Sequence, residues 1–245
     1  MTGDNALQPK KSDLGVRTLS AIVMVAVAGG ALWLGGWWWT IFVGAIGLGI
    51  LWEYWGLVRK IAGSPIAALI WLAAGVVYIG VALFMLIVMR QEDMILAFVP
   101  LLLVVAVDIG AYFAGRTFGG PKIAPSISPS KTWSGLIGGA LAATAVAFVI
   151  LRLVTDAMNH ETTRADVPRG LLHGIDGSTL MLVASIGILT AIVAQSGDFF
   201  ESWMKRRAGV KDSGSLIPGH GGLFDRTDGM LAVLFVFGIV NWVAG

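Results

Sequence analysis

Seven apolar runs, most of them near the length that crosses a bilayer, dominate this chain: residues 18–34, 37–58, 66–89, 94–115, 133–153, 178–200 and 229–244. A hydrocarbon core about 30 Å thick takes about 20 helical residues. Inside it every backbone polar group must be satisfied by the protein, which leaves helices and closed barrels as spanning structures. Barrel strands read as short alternating segments, whereas these runs are long and continuous. The expected fold class is therefore all-α: a polytopic transmembrane helical bundle of about seven spans, or eight or nine if a run divides. A mean hydropathy of +0.81, with 56% hydrophobic and 13% charged residues, excludes an ordinary soluble domain. The absence of cysteine removes disulfides, thiol catalysis and Cys-ligated metal centres.

The chain reads as one integral membrane domain over residues 1–245. A polar tail covers 1–15 and N-terminal spans cover 16–92. The spans in 93–245 carry two polar loops, 115–135 and 201–228. Trp37, Trp38 and Trp39 suit an interfacial anchor, and Glu53 is expected at the level of the lipid headgroups. Ser130 or Thr132 can cap the helix that follows the first loop. Residues 154–177, with His160 and His173, read as a solvated loop. Lys10, Lys11 and Arg17 precede the first run, and Arg59 and Lys60 follow the second. Arg116, Lys122 and Lys131 follow the fourth, and Lys205, Arg206, Arg207, Lys211 and Arg226 follow the sixth. The excess of Lys and Arg in cytoplasmic loops then places the N-terminus and both polar loops in the cytoplasm.

The second loop concentrates the chemistry. Asp198, Asp225 and Asp228 supply hard oxygen donors for a divalent cation, Mg²⁺ or another, with a second cation possible. Lys205, Arg206, Lys211 and Arg226, with Arg116 and Lys131 from the first loop, suit phosphate oxygens. Gly221 and Gly222, beside His220, allow close backbone approach. His220 itself fits a phosphate donor, a proton carrier or a turn. Asp108 lies well inside the fourth run, where an acid is costly and marks a functional site or a structural partner. A basic loop that holds anionic headgroups explains the Lys and Arg but not the aspartates among them. A cation transporter using Asp108 and Asp198 leaves the Gly-His-Gly-Gly stretch unexplained.

These residues resemble the signature of the phosphatidate cytidylyltransferases, the CDP-diacylglycerol synthases. The signature reads Ser202-x-x-Lys205-Arg206, Lys211-Asp212-Ser213, Pro218-Gly219-His220-Gly221-Gly222 and Asp225-Arg226-x-Asp228. The other loop agrees through Asp108-x-x-Ala111-Tyr112-x-x-Gly115-Arg116, Ser128-Pro129 and Lys131-Thr132-Trp133. Ser130 and Ser134 depart from the residues common there, Lys or Gly and Glu or Gln. CDP-alcohol phosphotransferases, which also cluster aspartates, carry an Asp-Gly-x-x-Ala-Arg pattern that is absent here. The resemblance implies a reaction of CTP with phosphatidic acid that needs a divalent metal. It implies Asp198, Asp225 and Asp228 as metal ligands, Asp108 as a weaker one, and Lys205, Arg206, Lys211, Asp212, His220 and Arg226 in catalysis. Asp108, Tyr112, Arg116, Lys122, Ser128, Lys131, Thr132, Ser202, Gly221 and Gly222 would then contact substrate. It further implies a homodimer in the bacterial inner membrane, the site facing the cytoplasm, with lipid bilayer and no nucleic acid as partner.

Overall fold

The computed structural model describes residues 14–162, 176–217 and 221–244. The expectations for the tail up to residue 13, for His173 and for His220 lie outside the described residues, as does the side chain of His160. Seven helices are described: α1 Leu14–Leu34, α2 Gly36–Ile61, α3 Pro65–Glu92, α4 Met94–Phe118, α5 Trp133–Thr162, α6 Gly177–Ala208 and α7 Phe224–Ala244. Six of them are long and apolar enough to cross a membrane, and α1 contributes a shorter apolar stretch, Thr18–Leu34. Between α4 and α5 lies an antiparallel hairpin, β1 Lys122–Ala124 and β2 Ser128–Thr132, with Lys122 opposite Thr132 and Ala124 opposite Ser128.

Local chemistry sets the helix ends. Ser64 accepts from Ala67 N at 3.2 Å with Pro65 in the first turn, and Asp93 accepts from Ile95 N at 2.6 Å. Asp176 caps α6 by accepting from Thr179 N at 2.8 Å and Ser178 Oγ at 2.9 Å, and the bonds from Thr179 and Ser178 hold its carboxyl below the usual carboxylate range. Of the two caps expected for α5, Thr132 takes the position, accepting from Gly135 N at 3.1 Å. Gly209, left-handed at φ 68°, ends α6.

Several helices outrun their apolar stretches. Helix α5 continues to Thr162, into the region expected to be a solvated loop, and α7 starts at Phe224, so Asp225 and Asp228 are helical. Charged residues continue a helix once it leaves the hydrocarbon, since helix propensity does not require apolarity.

One core joins α2, α3, α6 and α7 around Ile50, Tyr54, Ile79, Met204, Phe224 and Leu231. A second joins α4, α5, α6 and α7 around Leu103, Val107, Ala143, Ala191 and Val233. A third, with Leu32, Trp39, Val43 and Ala97, sits at the opposite end of the bundle. There Arg90 Nε donates to Leu32 O at 2.6 Å and ties α3 to α1. Trp37 and Trp38 are exposed as an anchor requires, but Trp39 is buried and donates to Leu86 O at 3.4 Å. The other end gathers the C-termini of α2, α4 and α6, the hairpin, and the N-termini of α5 and α7. That end holds the site.

Candidate active site

Helices α6 and α7 approach closely where Gly197 meets the backbone carbonyl of Asp228 and where Gly229 meets Asp198. A Cβ on Gly229 would lie 3.0 Å from Asp198 Oδ1, so the absence of a side chain there makes room for the carboxylate. Asp198 and Asp228 thus sit side by side, with Asp228 also accepting from Gly229 N at 3.0 Å. Lys131 of β2 reaches across to ion-pair with Asp198.

Asp225 faces a different set of groups. It accepts from Lys205 Nζ at 2.8 Å, from Ser213 N at 2.9 Å and from Gly222 N at 2.9 Å. These bonds hold Ser213 and Gly222 against the start of α7. Lys205, expected on phosphate, also binds Glu201 at 2.7 Å, and the Glu201 side chain is only 1% exposed. A buried Glu201–Lys205–Asp225 cluster therefore fixes the α6–α7 junction.

Glu53 reinforces it from α2. Expected at headgroup level, it is 3% exposed and packed inside the protein. It accepts from Phe224 N at 2.9 Å and Ser213 Oγ at 3.2 Å. A carboxylate from another helix thereby serves the first turn of α7 as an N-cap would, where the helix dipole also favours negative charge. Gly214 and Gly222 pack so tightly on it that neither has space for a Cβ. Replacing Glu53 with Ala leaves the buried Phe224 N–H without its acceptor. The expected loss is about 1–3 kcal/mol, read by thermal melting in detergent, and Glu53→Gln should retain most of it.

The hairpin forms the other wall. A cavity of about 420 Å³ is lined by Asp108, Tyr112, Arg116, Lys122, Ser130, Lys131, Thr132 and Gln195. Arg116 donates to Tyr112 Oη at 3.0 Å, and Arg206 Nε donates to Ile127 O at 3.3 Å, tying α6 to the hairpin. Ser134, one of the departures from the family pattern, bridges Thr132 and the carbonyl of Gly119.

Of the residues singled out from the sequence, Asp108, Tyr112, Arg116, Lys122, Lys131 and Thr132 share this cavity, and Lys131 links it to Asp198. Ser128 pairs with Ala124 in the hairpin. Ser202 is half-buried on α6, whereas Lys211, Asp212 and Arg226 are exposed near the α6–α7 junction. Gly221 adopts φ 91° and accepts from Ile217 N at 2.9 Å. Among the described residues no three His, Asp or Glu side chains converge to hold a metal ion by themselves. Asp198 and Asp228 form a pair, and Asp225 is turned toward Lys205. The sequence reading gave Glu53 no part in the site and passed over Gln195. A carboxylate and an amide inside apolar runs were the signals that marked them.

A polytopic helical membrane protein is thus defined, with paired carboxylates and a cation-lined cavity at one end of its bundle. The cytidylyltransferase family matches residues 62–244, and the chain belongs to it. It is 34% identical to a phosphatidate cytidylyltransferase of Brucella suis, over 94% of each chain. It is 31% identical to the phosphatidate cytidylyltransferase of Rickettsia bellii, over 96% of this chain and 94% of that one. A phosphatidate cytidylyltransferase of Haemophilus influenzae is 41% identical over 56% of this chain and 42% of its own.

Proposed function

We propose that this protein transfers the CMP moiety of CTP to phosphatidic acid, giving CDP-diacylglycerol and pyrophosphate. The observation that carries the reading is the meeting, through Lys131, of the Asp198–Asp228 pair with the cavity lined by Arg116 and Lys122. Two polyanions have to be brought together for this reaction, and cationic groups around acidic metal-binding groups suit that task.

The lipid phosphate needs no strong base, because a phosphomonoester has a second pKa of about 6. One of its oxygens attacks the α-phosphorus of CTP. The bond from that phosphorus to the bridging oxygen breaks, and pyrophosphate leaves with the electron pair. Arg116, Lys122 and Lys131 hold phosphate oxygens on the cavity side, and Lys211, Arg206 and Arg226 extend the basic surface at the α6–α7 junction. Asp198 and Asp228 are the fitting ligands for Mg²⁺, since that ion commonly binds through one or two carboxylates and leaves its other positions to water and substrate phosphates. Bound there, it would neutralise charge on the phosphates and the leaving pyrophosphate. Asp225, expected as a third ligand, has donors on both oxygens and holds Lys205, Ser213 and Gly222 together.

Beside Gly197, on the membrane side of the pair, lies an apolar cavity of about 470 Å³ lined by Trp71, Tyr78, Val193, Phe200 and Phe235. Acyl chains would stay at that level while the headgroup reaches Asp198 and Asp228. The basic residues at this end of the bundle support a cytoplasmic site in the bacterial inner membrane. The resemblance supports a homodimer.

Purified protein given phosphatidic acid, CTP labelled in its α-phosphate and Mg²⁺ is expected to move label into the lipid phase with one pyrophosphate released per labelled lipid. Chelation should stop it. Folded protein that labels no lipid would overturn the reading.

A further inference from the structure

We infer that Gln195 and Asp108 read the base of the nucleotide, selecting a pyrimidine that carries an exocyclic amino group over one that carries a carbonyl in its place. The inference rests on the proposed use of CTP and adds the residues that distinguish it from other nucleotides.

Gln195 stands on α6 one turn before Asp198, and only 4% of it is exposed. It lines the cavity of about 420 Å³, yet its Oε1 is buried with no hydrogen-bond partner. Buried polar atoms are almost always paired, so an orphaned amide oxygen on a residue that lines a cavity points to a ligand toward which the amide turns to complete it. Other polar groups on that wall are already engaged. Thr132 caps α5, and Tyr112 Oη takes a bond from Arg116. Asp108 lines the same cavity from α4, at a depth within its span where a carboxylate is retained only if it faces a polar space or a partner.

The two side chains make a directional pair. A carboxylate only accepts hydrogen bonds, and an amide both donates and accepts. The pairing edge of cytosine presents an amino donor followed by two acceptors. Its amino group matches Asp108 or Gln195 Oε1, as acidic side chains match cytosine N4 elsewhere, and its ring acceptors match the Gln195 amide N–H. Uracil would turn a carbonyl oxygen toward the carboxylate and leave an acceptor unpaired. Arg116 and Lys122 line the same cavity and supply cations for the phosphates of the nucleotide whose base is read here.

The test compares CTP with UTP in the lipid-labelling reaction, taking kcat/KM for each with wild type, Gln195→Leu and Asp108→Asn. Wild type should prefer CTP. Gln195→Leu should lose about 5–150-fold in kcat/KM for CTP, the range for losing a good base contact, and far less for UTP, so the ratio narrows. Asp108→Asn supplies a donor and should raise relative use of UTP. Equal losses with both nucleotides, as a purely structural role or a bridging water would give, overturn the inference. So does a wild type that does not discriminate. Should Gln195→Leu fail to fold, the Asp108→Asn ratio decides alone. A wild type that labels no lipid from CTP removes the parent reading and this one with it, whereas normal wild-type turnover with unchanged ratios removes only the base reading.

Discussion

Lys205→Met is expected to destabilise the protein by about 3–5 kcal/mol, the range for removing one partner from a buried ion pair, and to abolish turnover as a consequence. The ammonium lies 2.7 Å from Glu201 and 2.8 Å from Asp225, and their side chains are 1% and 8% exposed. Without it two buried carboxylates face each other with no cation. Asp225 also accepts from Ser213 N and Gly222 N, so its displacement releases both from the start of α7. Thermal melting in detergent measures the loss. Adding Glu201→Gln to Lys205→Met removes one of the unpaired charges and should restore a large part of the melting temperature. Were Lys205 free to hold substrate phosphate, its replacement would raise KM for CTP and leave melting unchanged, and that outcome would sink the structural assignment.

The spans were legible because the bilayer imposes a length and an apolar composition that few other constraints mimic. Runs such as 66–89 and 94–115 lie within α3 and α4, missing only a few residues at the helix ends. The aspartates and basic residues of the candidate site stood out because charge is conspicuous in a chain with so little of it. Partnerships were not. Nothing in the spacing says that Lys131 meets Asp198 across 67 positions, or that Glu53 reaches Phe224 across 171, because such contacts depend on how the helices pack. Glu53 also precedes the residues that match the family, which begin at Ala62. The hairpin was hidden for another reason. Lys122–Ala124 is only three residues long, and Ser128–Thr132 is polar with a Pro between two serines, which reads as loop by any propensity rule.

Asp228→Asn is expected to lower turnover by about 10²–10³-fold, the scale for removing one group that stabilises developing charge, while the protein melts like wild type. The two halves of that expectation have separate causes. For the fold, Asp228 accepts from Gly229 N at 3.0 Å, and an amide oxygen of the same shape accepts equally well. For the chemistry, Asp198 and Asp228 place two carboxylates together where the proposed reaction brings substrate phosphates, and that arrangement repels the substrates unless a cation lies among them. Lys131 offsets one of the two charges. Removing the other from the pair should raise the Mg²⁺ concentration needed for half-maximal turnover by about tenfold or more, on the scale seen when groups around a metal are altered. A Mg²⁺ titration of wild type and variant, with melting curves on the same preparations, separates the causes. Equal Mg²⁺ dependence in the two proteins would remove Asp228 from the metal site, and a collapse of melting would reassign it to the packing of α7 against α6.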